Sequence, residues 1–461
     1  MKQKWFYKLF YGIGNLGYSV VSQTITNFFM FFGTSVLKIP GSLIGLAVAI
    51  STVWDGITDP IVGYLSDNHS IKGFGNRNGY MLIATFGVSI INIFIWCVPL
   101  NMPTSLKFVW ILISLILIET FNTFFATPYS ALSSDIVNDY NDRTQIQIYK
   151  TIFFLLGMIL PSVLLNVFLP SSVDYPQGQL NPYGYRGIAI FSSIVMMVCG
   201  LICVFGTIKF SRNSIKNNNN EKFSFKKIFY DFVGCLKNKH LRLIILGYSL
   251  SMVSASILTS VGMHFFTYCF KYSTFKITCI LSALLFGMAI SQPIWYKISV
   301  KEDKKPALIL GLVTAIVGVF LIMLIFLFKE LIINASFYFI MFSMFIIGFG
   351  SGTLYCLPSS MFLDVLSLED KNNNKSATYS GFLTLSSNLA NAMALLVVGI
   401  LLDVIKFNPL NITQNRITQT GIAIILFVGV LFSLISSLFI FSRYKIKEKH
   451  LKKHKQNNLL V

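Results

Sequence analysis

The chain has 461 residues, of which 54% are hydrophobic and only 12% charged, with a mean hydropathy of +0.68. An ordinary soluble domain carries about 25% charged residues, so this composition is that of a polytopic membrane protein and excludes a soluble enzyme. The formal charge of +19 is spread over short segments between apolar runs. That distribution orients a membrane protein and gives no basic patch for nucleic acid.

The first residues, Met1-Lys-Gln-Lys-Trp-Phe, are basic, but the apolar run after them is long, dotted with polar groups and without a small-residue cleavage pattern. It reads as a first span and not as a removed signal peptide. A crossing needs about 20 apolar residues. By that measure twelve spans are expected, at 10–36, 41–66, 79–101, 106–133, 142–170, 187–210, 241–270, 275–298, 306–328, 332–360, 376–405 and 418–442. The fold class is therefore an all-α membrane protein with twelve transmembrane helices.

The longest break, 211–240, is polar and basic and contains Asn217 to Asn220; it buries too little apolar surface to fold alone. The expected organisation is an N-terminal six-helix bundle at 1–210, a cytoplasmic linker at 211–240, a C-terminal six-helix bundle at 241–442 and a basic cytoplasmic tail at 443–461. Within the linker, Phe223-Ser-Phe-Lys-Lys-Ile-Phe-Tyr-Asp-Phe has the pattern of an interfacial amphipathic helix. Most of the 37 lysines and arginines fall with the N-terminus, the linker and the tail. The positive-inside rule then puts both termini in the cytoplasm, as an even number of spans allows.

Along the spans, the polar residues are the informative ones. In the first span Asn15, Tyr18, Ser22 and Thr26 recur at three and four residues, and in the eleventh Thr384, Ser387, Asn388 and Asn391 do so. Such stripes face water or join helices; cavity lining is favoured because the two spans hold corresponding places in the two halves. Asp55 and Asp59 lie one helical turn apart in the second span. An acid at that depth costs about 2.5 to 3.5 kcal/mol on insertion scales, and at i and i+4 both project from one helix face. They are placed to share one proton or one cation; the competing reading is a structural pair satisfied by neighbouring helices.

Glu119, Asn122 and Thr123 share a face of the fourth span. Glu119 is then a third acid: protonated, or in contact with substrate, or paired with a base such as Lys150, or peripheral in the outer half of its helix. Lys150 in the fifth span either reaches a cavity or snorkels to the interface. His264, the one histidine inside a span, reads more simply as a packing residue. Gly348, Gly350 and Gly352 in the tenth span allow close packing or bending; with no strand before them they are no phosphate loop. The seven cysteines have no paired metal-ligand spacing and read as small core residues.

One stretch is specific beyond composition: Trp54-Asp-Gly-Ile-Thr-Asp-Pro-Ile-Val-Gly-Tyr-Leu-Ser-Asp67. With Tyr11-Gly-Ile-Gly14, Pro128-Tyr-Ser-Ala-Leu132 and Asp139-Tyr-Asn-Asp-Arg-Thr144 it resembles the glycoside-pentoside-hexuronide:cation symporter family, the melibiose permease-like branch of the major facilitator superfamily. The resemblance is detailed over residues 10 to 155; in the second half it rests on span layout and Asp364. It implies two six-helix bundles around a central cavity and alternating access, in line with repeats rocking about a midplane site.

The resemblance also implies roles. The two second-span acids would hold the coupling cation, Na+ or H+, with help from Thr58 between them and Thr123 on the fourth span. Oxygen ligands suit such a hard cation. Lys150 matches a cavity arginine that contacts substrate, with the charge kept and the planar fork lost. Two carboxylates that would accept hydrogen bonds from a galactoside are Ser19 and Ala126 here, and the aromatic platform falls on Ser130, with Tyr129 beside it as the replacement. The substrate-binding candidates are thus Tyr18, Ser22, Glu119, Tyr129, Lys150, Ser387 and Asn388, and a galactoside is not expected to bind. Asp67, Lys72, Arg77 and, in the fifth-span motif, Arg143 are the gating candidates.

The expected activity is cation-coupled symport of a small organic solute, glycoside-like or amphipathic, by a monomer in the cell membrane. The alternatives are an uncoupled facilitator or exporter and, from other classes, a lipid scramblase or a polytopic membrane enzyme. Against an enzyme, no span holds a clustered His/Asp set, nor a Ser or Cys with a nearby base. Against a scramblase, the second-span acids would have no task. No cofactor beyond the coupling cation, no metal beyond it and no nucleic-acid partner are expected.

Overall fold

The computed structural model describes residues 2–136, 140–213, 234, 236–331, 335–369, 376–409, 411 and 413–445. Inside a bilayer no water is present to satisfy backbone N–H and C=O groups, so long apolar runs must close their hydrogen bonds within helices. The runs do so as α1 (Lys2–Phe31), α2 (Gly41–Asn68), α3 (Asn78–Trp96), α4 (Thr104–Ile136), α5 (Tyr140–Phe168), α6 (Pro182–Asn213), α7 (Lys239–His264), α8 (Thr274–Glu302), α9 (Lys304–Leu327), α10 (Ser336–Ser351), α11 (Leu357–Glu369), α12 (Ser376–Val404) and α13 (Arg416–Ser442). Among the described residues eleven helical segments are long and apolar enough to cross a membrane. With the 30-residue α1, whose polar stripe dilutes its apolar character, they make the twelve crossings.

The tenth crossing is not the continuous helix that the sequence suggests. It runs through α10, a tight 3-10 turn at Gly352–Tyr355 and then α11. Glycine is a poor helix former and proline a worse one, and here Gly348, Gly350, Gly352 and Pro358 fall within eleven residues. Gly348 also allows close approach: a Cβ there would stand 1.9 Å from the carbonyl oxygen of Leu284. The expected interfacial helix at 223–232 and the asparagine tracts lie outside the described residues.

The chain folds into two compact units. The first holds α1 to α6 together with Lys271–Phe275 and Leu396–Gln414; the second holds the remaining described helices. In the first unit α1 packs on α5 and α6, α3 on α4 and α6, and α2 on α4. In the second, α7 packs on α13, and α9 on α10 and α13. Counting crossings, these three repeat the first unit's pairings of α3 with α4, α1 with α6 and α3 with α6 six crossings later.

Buried polar groups fix the register inside the first unit. The Asn92 amide on α3 donates to the Ala189 carbonyl at 3.1 Å and to the hydroxyls of Ser192 and Ser193 at 2.9 Å on α6. Nearer the start of α3, Asn78 Nδ2 donates to the Val204 carbonyl at 2.6 Å and to Thr207 Oγ1 at 2.9 Å. Hydrogen bonds of this kind join helices where no hydrophobic force drives them together.

Candidate functional site

The site is built on the α2–α4 contact of the first unit. Thr123 Oγ1 on α4 donates to Asp55 Oδ1 on α2 at 2.7 Å, and the hydroxyls of Thr123 and of Thr127, one turn further, lie within hydrogen-bonding reach of Asp59. On the flank, Trp54 Nε1 donates to Thr120 Oγ1 at 2.8 Å. Thr123 is buried, Asp55 half-buried and Asp59 exposed at the surface of the chain. The arrangement presents carboxylate oxygens at a place whose floor is hydroxyl.

Pro60 follows Asp59 inside α2. Having no N–H, proline cannot serve the carbonyl four residues earlier, so the Gly56 carbonyl, between the two acids in sequence, lacks its intrahelical donor. Thr58 differs from expectation. It is buried and its hydroxyl donates to the main-chain carbonyl of Asp55 at 3.1 Å, along its own helix.

Glu119 lies one turn before Thr123 on α4. Asn122 Nδ2 is 3.4 Å from Glu119 Oε2, and Tyr18 of α1 lies within electrostatic reach of Glu119, Asp55 and Asp59. The structure thus brings together Tyr18, Asp55, Asp59, Glu119 and Thr123. Of the first-span stripe, Ser22 is half-buried on α1, with its carbonyl accepting from Thr26.

An aromatic ladder leads away from this cluster. Tyr18 stacks on Phe125 with centroids 6.0 Å apart, Phe125 on Tyr129 at 5.5 Å, and Tyr129 on Tyr11 at 4.3 Å. Lys150 Nζ of α5 stands 5.5 Å from the Tyr129 ring centre, while its main-chain carbonyl accepts from Asn15 Nδ2 at 3.0 Å. Tyr129 itself is held on both sides. It is 2% exposed, and its hydroxyl donates to the Tyr11 carbonyl at 2.9 Å while the Tyr11 hydroxyl donates to the Tyr129 carbonyl at 3.1 Å. A ring clamped in this way ties α1 to α4.

Ser19, where the related pattern has an acid, is likewise turned inward: it is fully buried and its hydroxyl donates to the Phe154 carbonyl at 3.2 Å. In the second unit Ser387 is buried with its hydroxyl donated to the Thr384 carbonyl at 2.8 Å, and Asn388 beside it is half-buried. His264 is fully buried with Nδ1 3.0 Å from the Ser260 carbonyl.

Of the gating candidates, Asp67 lies in the last turn of α2 and Arg143 in the first turn of α5, and their side chains lie outside the described residues. Lys72 is exposed in the α2–α3 loop, and the main-chain N–H of Arg77 donates to Ser211 Oγ at 3.0 Å. In the second unit Lys304, at the start of α9, pairs with Asp364 on α11, and Lys305 donates to the carbonyls of Ser442 and Tyr444 at 2.6 and 2.7 Å.

A family model described as MFS/sugar transport protein matches residues 10–448. The chain belongs to that family. Among its relatives are an uncharacterized symporter, sll1374, of Synechocystis (29% identical, covering 38% of this chain and 33% of the relative) and the inner membrane symporter YicJ of Escherichia coli (25%, 43% and 42%). The match thus spans less than half the length of either. The sodium-dependent lysophosphatidylcholine symporter 1-B of Danio rerio is 22% identical over 96% of this chain and 87% of its own.

Solved structures agree on the fold. The nucleoside transporter NupG superposes with a TM-score of 0.63 at 16% identity, covering 96% of this chain and all of that one. A D-xylose-proton symporter does so with 0.64 at 14% identity over 96% and 98%. The chain is a multi-pass membrane protein of the major-facilitator fold.

Proposed function

We propose that the chain couples the movement of a monovalent cation, Na+ in the first instance, to that of a small amphipathic organic solute. The observation that carries this reading is the Thr123–Asp55 hydrogen bond at 2.7 Å, which sets a hydroxyl and two acids of neighbouring helices around one point. Asp55, Asp59, Thr123 and the Gly56 carbonyl freed by Pro60 offer hard oxygen donors, the kind a hard cation takes. A cation lodged there relieves the cost of two carboxylates at membrane depth. It also binds α2 to α4, so states that differ in this contact differ in cation affinity, and coupling to solute binding is reciprocal. Sodium is favoured over the proton because a relative aligned over nearly the whole chain is named as sodium-dependent.

For the solute, Lys150 supplies one cation beside an aromatic wall and Tyr18 with Glu119 a polar end. That chemistry suits an amphipathic molecule with an anionic or zwitterionic head, the class to which the lysophosphatidylcholine of that relative's name belongs. Glu119 serves here as a substrate contact, Ser22 and Asn388 as cavity-lining groups, and no catalytic step is assigned. The N-terminus, the linker and the basic tail face the cytoplasm by the distribution of lysine and arginine. Uptake into proteoliposomes of lysophospholipids, glucuronides and sugars, with and without an imposed Na+ gradient, tests the reading. Sodium-stimulated uptake of an amphipathic solute supports it; uptake indifferent to Na+ and to a pH gradient refutes coupling.

A further inference from the structure

Lipid tails are as apolar as leucine, so a crossing helix can turn a stripe of large apolar side chains outward. α13 carries such a stripe. Ile424, Val428, Phe432, Ile435 and Phe439, between 48% and 68% exposed, recur at four, four, three and four residues. The next residue in that register is Arg443, four beyond Phe439, and it is exposed as well. Its guanidinium carbon lies over the Phe439 ring, 4.2 Å from the centre. α9 packs on α13 and has a stripe of the same kind in Leu310, Val313, Val317, Phe320 and Leu324.

The start of α9 lies against the end of α13. Lys305 Nζ donates to the carbonyls of Ser442 and Tyr444 at 2.6 and 2.7 Å. The last carbonyls of a helix have no partner within it and form the negative end of its dipole, which would oppose an anion. Lys305 neutralises that end. Tyr444, 2% exposed, is buried there with the His240 ring edge-on to it at 5.9 Å, and the next residue, Lys445, emerges exposed.

The described acids of this end are already answered. Asp364 pairs with Lys304, Asp303 accepts from the Lys304 N–H at 2.7 Å, and Glu302 stands 3.9 Å from Lys301. Arg443 and Lys445, by contrast, make no ion pair and no side-chain hydrogen bond among the described residues. A guanidinium offers its donors in a planar fork that meets a phosphate two bonds at a time. Resting on Phe439, this one is held at the end of an apolar face with its donors unspent. A plain membrane anchor needs only a flexible lysine that snorkels to the interface. In the first unit Lys209 holds that place on α6, four residues beyond exposed Phe205.

We infer that Arg443, with Lys445, binds the phosphate of an anionic phospholipid whose acyl chains lie along the exposed stripes of α9 and α13. The occupant carries net negative charge because cations without an acid partner meet it. It is a lipid because the apolar stripes begin where those cations end. The site is built from one unit alone and shares no residue with the cation site.

A bimane fluorophore on a cysteine at Ile435, about two turns from Arg443, tests this in phosphatidylcholine vesicles. A minor fraction of the lipid is either phosphatidylglycerol or phosphatidylcholine with brominated chains, which quench on contact. Cys356, an exposed native cysteine, is changed to serine, and the signal of protein without Ile435→Cys is subtracted. Brominated phosphatidylglycerol is expected to be preferred roughly fivefold, the worth of one basic residue at a charged surface, and the preference should shrink as salt is raised. Arg443→Gln should bring the ratio close to one, and Arg443→Lys should keep part of it, losing the fork but not the charge. Both variants retain the main-chain carbonyls that Lys305 holds. The same label at exposed Ile90 on α3 should respond to neither. Equal quenching by the two lipids in the parent, a preference that survives Arg443→Gln, or an equal change at Ile90 each overturns the inference.

Discussion

The two units share three helix pairings but use polar groups in different ways. In the first, Asp55, Asp59, Glu119 and Lys150 lie inside crossing helices. In the second, among the described residues, charge lies nearer the helix ends: Lys239 and Arg242 at the start of α7, Lys276 at the start of α8, Lys297, Lys301 and Glu302 in its last two turns, and Lys304 and Lys305 at the start of α9, with Asp364 of α11 paired to Lys304. The interior of that unit is polar through hydroxyls. Ser251 and Ser437 share a hydrogen bond at 2.6 Å, Ser437 donates to the Gly247 carbonyl at 2.8 Å, and Ser260 donates to the Ser256 carbonyl at 2.7 Å. A hydroxyl is satisfied by the carbonyls of its own helix at almost no cost. An ionised carboxylate accepts only, so the interior of a helix, whose amides are already spent, cannot satisfy it, and a pair of them there asks for a proton or a cation. On the function proposed above, ion coupling belongs to the first unit and the hydroxyls inside the second serve packing.

The largest break in that contrast should come from Asp59→Asn and Asp55→Asn. Each keeps the shape and one oxygen while removing a charge. With about 1.5 to 3 kcal/mol at stake for a bond to a charged group, cation affinity should fall by roughly 10- to 100-fold, at 1.4 kcal/mol per decade. Sodium-stimulated accumulation should disappear while exchange of solute survives in part. Isotope uptake with and without a sodium gradient measures both. Wild-type cation dependence in the two variants would move the coupling site elsewhere, with Glu119 the next acid to test.

Thr123→Val removes the hydroxyl that donates to Asp55 and leaves the volume nearly unchanged. A loss of about 1 kcal/mol, the usual worth of such a bond, corresponds to a roughly fivefold weaker response to sodium, and Thr123→Ser should restore most of it. Equal behaviour of Val and Ser would mean that the hydroxyl only packs. Thr58→Val should matter less than Thr123→Val, because the Thr58 hydroxyl is given to its own helix.

The twelve crossings and the acid pair were legible in the sequence for direct reasons. Apolar runs of bilayer length announce themselves, and an acid in such a run stands out by its cost. What stayed hidden depends on which helices face each other. The partner of the Tyr129 hydroxyl is a main-chain carbonyl 118 residues away, and that of Asp403 is an amide 362 residues away. Neither contact leaves a local pattern. Thr127 was within reach of reading, since it repeats Thr123 at i+4 on the face opposite the acids. The break in the tenth crossing was written in its glycines and Pro358, but the choice between close packing and a turn needed the neighbouring Leu284 backbone.

The galactoside expectation now has a second support. Ser19 is not merely a shorter side chain at the position of an acid; it is fully buried and bonded to α5. Ser19→Asp should therefore unsettle the α1–α5 contact and not create sugar binding. Sodium-stimulated melibiose uptake by the native chain, saturating below millimolar sugar, would show that α1 offers a different face to the solute.

The smallest effects should come from residues whose polar groups are already spent, and they sharpen the contrast most. Tyr129→Phe keeps the stack on Tyr11 and the ring under Lys150 but removes one hydrogen bond, which is worth about 1 kcal/mol of stability. The apparent solute KM should stay within about twofold while thermal stability in detergent falls slightly. Ser387→Ala removes a hydroxyl bonded to the Thr384 carbonyl of its own helix, so neither KM nor stability should change measurably. If instead Ser387→Ala weakens solute binding tenfold with stability intact, the hydroxyl must turn away from Thr384 during transport. The interior of the second unit would then take part in recognition, and its polar groups could no longer be set apart from those of the first as packing alone.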